Sequence, residues 1–343
     1  MPAATVVINR TLVRDLGRFR RRCLAAGAPG GWQPSFLETT RDERGPGLVR
    51  GALASGAELI VAAGGDGTVR ACVQALAGTQ VPLAIVPLGT ANLAARALGV
   101  PAGTRGALAV AFGGQERRID LAAARLADAA GLAEGGGPAG GPGPTGGHEL
   151  TDSHSPPEGP GPAESPGPAD AAGTLTFAAM AGIGLDAQVV AATPRLLKRR
   201  AGWLAYAVAG AARLPGPGVW FTVRLDDGEP LARQARCVVV GNAGLLPGGF
   251  ALLPRARLDD GLLDVGILAP KGAAGWLRVA RGVLAGRGRS GPQLETHQAR
   301  RVEIRAEASL PREVDGEVIT PGRSLTVTLL RCSLTVRVPP ARG

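Results

Sequence analysis

Apolar and polar positions along the 343-residue chain follow two regimes. In the first third, short apolar runs alternate with stretches of helical spacing. Val6, Val7 and Ile8 form one run, residues 36–40 (FLETT) a second, residues 59–63 (LIVAA) a third and residues 82–87 (PLAIVP) a fourth, each of a length suited to a buried strand. Between them, Thr11 is placed to cap a helix through Leu12, Leu16, Phe19 and Leu24, and residues 48–57 predict another. After the third run, Val69, Cys72, Val73 and Leu76 recur on one helical face. Residues 93–98 and 104–112 predict two more helices, and RRIDL at 117–121 opens the next strand. This alternation predicts a mainly parallel α/β sheet with right-handed crossovers.

From Thr174 the period shortens to two. TLTFAAMAG, VWFTVRL, ARCVVVGNAG, GLLDVGIL, RRVEIRAE, LPREVDGEVI and SLTVTLLRCSLTVRV carry strand patterning, with Asp-Asp-Gly and Asp-Gly turn signals. Helices are predicted only over 194–213 and 272–287. The expected second unit is mostly antiparallel. We divide the chain into an α/β unit at 1–124 and a β unit at 125–343, whose last strand is able to return to the first unit.

Residues 128–173 fit neither regime. They hold 13 Gly, 9 Pro, seven acidic residues and no Lys or Arg. Such a composition does not bury a core, and disorder is the expectation. His148 and His154 lie in it, spaced too loosely to signal a metal site.

Candidate chemistry begins where the third run ends. Gly64, Gly65, Asp66, Gly67 and Thr68 turn the chain from strand to helix. Glycines there let backbone N–H groups at a helix N-terminus approach a phosphate. Asp66 would repel that phosphate unless a cation lay between them, which points to Mg²⁺. An ordinary tight αβ turn fits the same residues. The fourth run ends similarly, at Leu88-Gly89-Thr90-Ala91-Asn92. Two such turns after successive strands converge at one edge of a parallel sheet, where α/β proteins bind ligands.

GGDGTV followed by PLGTANLAARALG resembles the diacylglycerol kinase catalytic family, which includes bacterial lipid kinases and sphingosine kinases and is related to NAD kinases. PRARLDDGLLDV at 254–265 and VDGEV at 314–318 are similar to that family's later signatures, so the resemblance spans nearly everything except the insert. It implies an α/β nucleotide domain followed by a β-sandwich. It also implies an ATP- and Mg²⁺-dependent kinase for a lipid hydroxyl, most directly diacylglycerol to phosphatidic acid, with a sphingoid base or other lipid alcohol as the alternative acceptor. By the resemblance, ATP lies over Gly64, Gly65, Asp66, Gly67, Thr68, Val69 and Arg70, with Gly89, Thr90 and Asn92 from the second turn. Asn9 and Thr40 complete the set, Thr39 being the other candidate for the threonine. A second Mg²⁺ would be held by Asp260 and the carbonyls of Arg257 and Leu262. Glu317 would be the proton acceptor, with Asp315 beside it. Glu317 is expected across the cleft from the glycine turn. The tight hairpin at 314–318 explains Asp315 and Gly316 without catalysis, but not Glu317. Arg10, Ala179 and Leu93 depart from the family pattern and leave open a non-catalytic regulator of the same fold.

Charge adds a partner. Lys+Arg outnumber Asp+Glu by 38 to 28, and without residues 128–173 the balance is +17. Arg195, Lys198, Arg199 and Arg200 precede Trp203 and Tyr206, and Arg278, Arg281, Arg287 and Arg289 flank Trp276 and Leu277. Basic residues interleaved with Trp and Leu suit an anionic membrane surface, and also two ordinary surface helices. Aromatics at 3% leave few stacking platforms for nucleic acid. The N-terminus lacks a signal-peptide pattern, and no apolar run approaches the roughly 20 residues of a membrane span. The expectation is a cytoplasmic protein peripherally bound to the membrane's inner face. Four scattered cysteines signal neither zinc ribbon nor disulfide scaffold. A homodimer is allowed, and nothing in the sequence sets the oligomeric state.

Overall fold

The computed structural model describes residues 1–39, 45–126, 173–184, 218–246, 250–284, 291 and 293–340. Thr40, residues 185–217, most of the Gly/Pro-rich insert, Arg287 and Arg289 lie outside them.

The first four strands are β1 (Ala3–Asn9), β2 (Gln33–Thr39), β3 (Leu59–Gly64) and β4 (Leu83–Pro87), all parallel in the order β2-β1-β3-β4. Every residue of β3 and β4 is buried. That explains their continuous apolar runs, because helices cover both faces of a parallel sheet. The covering helices are α1 (Leu16–Gly27), α2 (Pro46–Ala54), α3 (Asp66–Leu76), α4 (Leu93–Ala97) and α5 (Thr104–Gly113). Val69, Cys72, Val73 and Leu76 of α3 face the core as their spacing predicts.

Two boundaries differ from the expectation. Thr11 does not cap the first helix. It lies in a single 3₁₀ turn, Arg10–Leu12, capped by Asn9, and α1 starts after Asp15, whose carboxylate accepts the Arg18 N–H at 2.8 Å. An aspartate nearer the periodic run outcompetes the threonine as cap. Leu12 and Leu24 are consequently exposed, at 40% and 49%. The second helix ends at Ala54, three residues early, because Gly56 takes a left-handed φ of +83°.

The chain then enters β5 (Gln115–Arg125) and returns through β6 (Thr174–Phe177) and β7 (Met180–Gly184). β8 (Val219–Leu225), β9 (Leu231–Ala235), β10 (Cys237–Gly241), a small β11/β12 hairpin (Leu245–Leu246, Phe250–Ala251) and β13 (Leu263–Leu268) follow. After α6 (Gly272–Leu284) come β14 (Leu294–Ala299), β15 (Arg301–Val314) and the 22-residue β16 (Glu317–Val338). Among the described residues, all pairings between these later strands are antiparallel. The C-terminal part is therefore mostly antiparallel β, with a core of its own built on Phe177, Phe221, Val265, Ile304 and Val327.

β16 joins the halves. Its first end pairs with β15, and near its last end Val336 pairs in parallel with Leu83 of β4. A register shift between Leu330 and Leu334, with Cys332 at φ +48°, bends it between the two roles.

β5 and β6 pair at Arg125 and Thr174, and the Leu126 N–H donates to the Gly173 carbonyl at 3.2 Å. The insert therefore leaves and re-enters at adjacent backbone positions. Replacing residues 128–172 with a short Gly/Ser turn is expected to leave the fold intact. Loop closure costs about 0.6 kcal/mol per doubling of length, so a roughly tenfold shortening favours the folded state by about 2 kcal/mol. An unchanged or slightly raised Tm, with unchanged activity, is the expected result. A fall of more than about 5 °C would show that the insert packs on the protein.

No helix among the described residues is long and apolar enough to cross a membrane. In α6, Trp276, Val279 and Val283 are buried, so the tryptophan expected at a membrane surface belongs to the core. The outward face carries Leu277, 56% exposed, with Arg278 and Arg281.

Candidate active site

The C-terminal ends of β1, β3 and β4 open on one edge of the parallel sheet. From β1 comes Asn9, whose Oδ1 accepts the N–H and hydroxyl of Thr11. Thr39 is opposite Asn9 in the register. Arg10, where the family pattern has proline, turns its guanidinium onto the Val13 carbonyl at 2.8 Å.

The two glycine turns touch each other. A Cβ on Gly89 would lie 2.6 Å from Cα of Gly65, and one on Gly64 would collide with Thr68. Only glycine permits this approach. Asp66, the first residue of α3, fastens the turns together. Its Oδ2 accepts the Asn92 N–H at 2.8 Å and its Oδ1 the Leu93 N–H at 2.6 Å. Asn92 adopts a left-handed φ of +48° and closes its own turn on Gly89 through two side-chain hydrogen bonds. Leu93 supplies the N–H and buries its side chain, so its departure from the family pattern costs this contact nothing.

Burial pushes the Asp66 carboxyl up to about 6, against the backbone hydrogen bonds that lower it, and the nearby Asp315 pushes it further up. Asp315 is buried as well, and desolvation raises its carboxyl, opposed by backbone N–H groups and by Arg70. A partly exposed carboxylate, Asp66, with the buried Asp315 charge near it suits a hard cation with oxygen ligands on its open side.

The catalytic hairpin candidate is the β15–β16 turn. Asp315 and Gly316 have φ of +49° and +79°, as a two-residue primed turn requires. Asp315 Oδ1 accepts the N–H groups of Ala179 and Met180 at 2.9 and 3.0 Å, and its own N–H donates to the Met180 carbonyl. Ala179, where the family pattern has asparagine, thus takes part through its backbone.

Glu317 is not across the cleft from the glycine turn. It lies directly on it, with Oε1 in the place a Cβ on Gly67 would occupy and Oε2 paired with the Arg70 guanidinium. The β15–β16 pairing carries this hairpin onto α3, a long-range contact that no local pattern reports. Gly67→Ala is therefore expected to displace the Glu317 carboxylate. Alanine is a better helix former than glycine by up to about 1 kcal/mol, but displacing Glu317 also unpairs the buried Arg70, so Tm should hold or fall while turnover falls at least about tenfold. Unchanged turnover would show that Glu317 does not act from this position.

Three buried polar residues were not singled out by sequence reasoning in these roles. Asp120, between Ile119 and Leu121 of β5, accepts the Gly261 N–H at 2.8 Å and the Cys332 N–H at 2.6 Å, fixing both the loop before β13 and the bend in β16. Asn242 donates to the carbonyls of Asp120 and Ala178, and its buried Oδ1 has no hydrogen-bond partner among the described residues. A carboxylate between two apolar residues, Ile119 and Leu121, was the available signal for Asp120. Asp264, in β13, is raised by burial and by Asp260.

That third residue bears on the expected second Mg²⁺ site. Asp260 is exposed, and its Oδ1 accepts the Leu262 N–H at 3.1 Å. The described residues contain no cluster of three or more His, Cys, Asp or Glu side chains able to hold a metal. Ligation there would depend on backbone carbonyls such as those of Arg257 and Leu262, and the repulsion between Asp260 and Asp264 suits a cation. A cavity of about 390 Å³ opens nearby, lined by Ala97 of α4, Arg117 of β5, and Ala243, Leu253, Pro254 and Leu258 among others.

Comparison with known proteins agrees with this architecture. Residues 4–124 match the diacylglycerol kinase catalytic domain, and residues 179–336 match the YegS C-terminal NAD kinase beta sandwich-like domain. A protein of Pseudomonas aeruginosa (strain UCBPP-PA14) named "Probable lipid kinase YegS-like" is 31% identical over 328 residues, covering 93% of this chain and 89% of its own. One of the same name from Chromohalobacter salexigens is 30% identical, covering 79% and 73%. Two crystal structures from Bacillus anthracis str. Sterne share the fold. One, of a diacylglycerol kinase, has a TM-score of 0.63 at 19% identity over 99% of this chain and 97% of that one. The other has 0.69 at 21% over 100% and 98%. With both domains matched in order along nearly its whole length, the chain belongs to the diacylglycerol kinase catalytic-domain family, as a lipid kinase of the YegS type.

Proposed function

We propose that the protein transfers the γ-phosphate of ATP to the hydroxyl of diacylglycerol, giving phosphatidic acid, while lying against an anionic membrane surface. The observation that carries this reading is the meeting of the 314–317 hairpin with the glycine turn of α3, which puts a half-exposed glutamate beside a phosphate cradle.

The backbone at residues 64–70 and at Gly89, Thr90 and Asn92 would receive the nucleotide phosphates, with Asn9 and a threonine of the β2 end toward the rest of the nucleotide. Mg²⁺ beside Asp66 would neutralise phosphate charge when bound. Glu317 would take the proton of the acceptor hydroxyl as that oxygen attacks phosphorus. Asp315 holds the hairpin in register through its backbone hydrogen bonds. Transfer of this kind has a loose transition state, so positioning and electrostatics supply most of the rate. The cavity beside α4 falls within the roughly 300–1,000 Å³ range of small-molecule sites, and its lining combines Leu253 and Leu258 with Arg117, Arg257 and Asp259, which suits an acceptor with both apolar and polar parts.

The test is incubation with radiolabelled ATP, Mg²⁺ and mixed vesicles containing diacylglycerol, sphingoid base or other lipid alcohols, with products resolved by chromatography. Label in phosphatidic acid supports the reading. Label confined to another lipid replaces the acceptor, and label in none overturns it.

A further inference from the structure

We infer that Arg70 is a positioning residue: it holds the Glu317 carboxylate over the glycine turn, instead of binding a nucleotide phosphate. The inference rests on the reading of Glu317 as proton acceptor and assigns the part of α3 that sets its place.

Arg70 is 6% exposed. Arginine is rarely buried, and a buried guanidinium must be paired. Its partners among the described residues all belong to one hairpin. Nη2 pairs with Glu317 Oε2, Nη1 donates to the Val314 carbonyl at 3.4 Å, and its charge acts on Asp315 between them. These partners lie 244 and 247 residues further along the chain. The guanidinium therefore leaves the helix on which the phosphate cradle is built and fastens the opposite half of the protein to it.

Glutamate has three rotatable side-chain bonds, and Glu317 is 38% exposed at the side chain. Left alone on a hairpin, such a side chain samples several rotamers. Reaction requires one of them, with a proton acceptor at hydrogen-bond distance from the attacking hydroxyl, and a misplacement of about 1 Å can cost on the order of 10²-fold. Arg70 occupies one lone-pair direction of Oε2, and Gly67 leaves room for Oε1, so the pair fixes the carboxylate while leaving other lone pairs free. A phosphate ligand would show a different arrangement, with the guanidinium directed into the cradle at residues 65–68.

The test uses the full chain as wild type, Arg70→Gln, Arg70→Lys, Glu317→Gln and the two corresponding double variants. For each, kcat and KM for ATP are measured on the lipid that wild type phosphorylates, and nucleotide affinity by calorimetry. Arg70→Gln is expected to lower kcat about 10- to 100-fold, with nucleotide Kd within about threefold of wild type. Arg70→Lys should recover part of the loss, since it keeps the charge without the planar fork. In the Glu317→Gln background, Arg70→Gln should lower kcat less than about twofold further, because both changes remove the same act. Should Arg70→Gln not fold, the lysine cycle gives the same comparison. A rise in nucleotide Kd of tenfold or more at unchanged kcat, or losses that multiply in the double variants, would overturn the inference in favour of phosphate binding. Wild type that labels no lipid, or Glu317→Gln at full rate, would instead sink the reading beneath it.

Discussion

Glu317→Gln is expected to lower kcat by a factor on the order of 10² to 10⁴, the usual cost of removing a general base. Glutamine keeps the size of the side chain and still accepts a hydrogen bond from Arg70, so the carboxamide can remain over Gly67. It cannot take the acceptor's proton, which must then pass to water. Because Glu317 sits on α3 and not on a distant wall, its effect on nucleotide binding also follows from the structure. Loss of its negative charge leaves the buried Arg70 less compensated beside the cradle. Nucleotide affinity should stay the same or tighten, and in no case weaken greatly. Arg70 is only 7% exposed at the side chain, so weakening its partner should lower stability by about 1–3 kcal/mol, less than outright loss of the partner because glutamine still accepts a hydrogen bond. A plain hairpin role predicts little change in either rate or affinity. Measuring kcat and nucleotide Kd side by side separates the two. Turnover within a few-fold of wild type removes Glu317 from the chemistry.

The parts of this protein that local physics determines were legible. β3 and β4 read as strands because both their faces are covered, and the two glycine turns read as a ligand edge because their chemistry is made of backbone. The antiparallel second half showed in its period of two. What was not legible depends on contacts between distant residues. β16 reads as strand throughout SLTVTLLRCSLTVRV, but nothing in that string says that Val336 pairs with Leu83 of the first sheet. The same strand carries Glu317 onto Gly67, which is why the glutamate was expected on the wrong side of the cleft. Asp120 looks like one more charged residue in RRIDL, and its role depends on an N–H 212 residues away. The α1 boundary failed for a smaller reason: Thr11 and Asp15 both suit a cap, and the residue adjoining the periodic run took it.

Asp66→Asn is expected to remove phosphoryl transfer, by at least about 10³-fold, on two grounds that add. The carboxylate is the charge that would stand next to Mg²⁺, worth several kcal/mol of transition-state stabilisation. It is also a double acceptor, with one oxygen on the Asn92 N–H and the other on the Leu93 N–H. Asparagine offers one acceptor, and its amide nitrogen would face a backbone donor, so the second glycine turn loses a partner where nucleotide phosphates are expected. Stability should respond less than activity. A hydrogen bond to a charged group is worth roughly 1.5–3 kcal/mol, but the ionised carboxylate also pays for its burial, as its rise from 3.8 to about 6 shows. The sign of the pH dependence follows. Between about pH 4 and 6 the folded protein holds a proton at Asp66 that the unfolded chain releases, so this group's contribution to stability is greatest below about 4 and falls as pH rises to 6. Wild type should thus lose part of its stability margin over Asp66→Asn across that interval. Activity moves the opposite way, because the cation needs the carboxylate: free of Mg²⁺-nucleotide, wild type should bind it progressively less well as pH drops below about 6. Melting curves of both proteins from pH 4 to 7, with Mg²⁺-ATP affinity over the same range, test the two signs together. A margin that does not change with pH, or an asparagine variant that keeps near-normal turnover, would mean that Asp66 only fastens the turns and that the cation is held elsewhere.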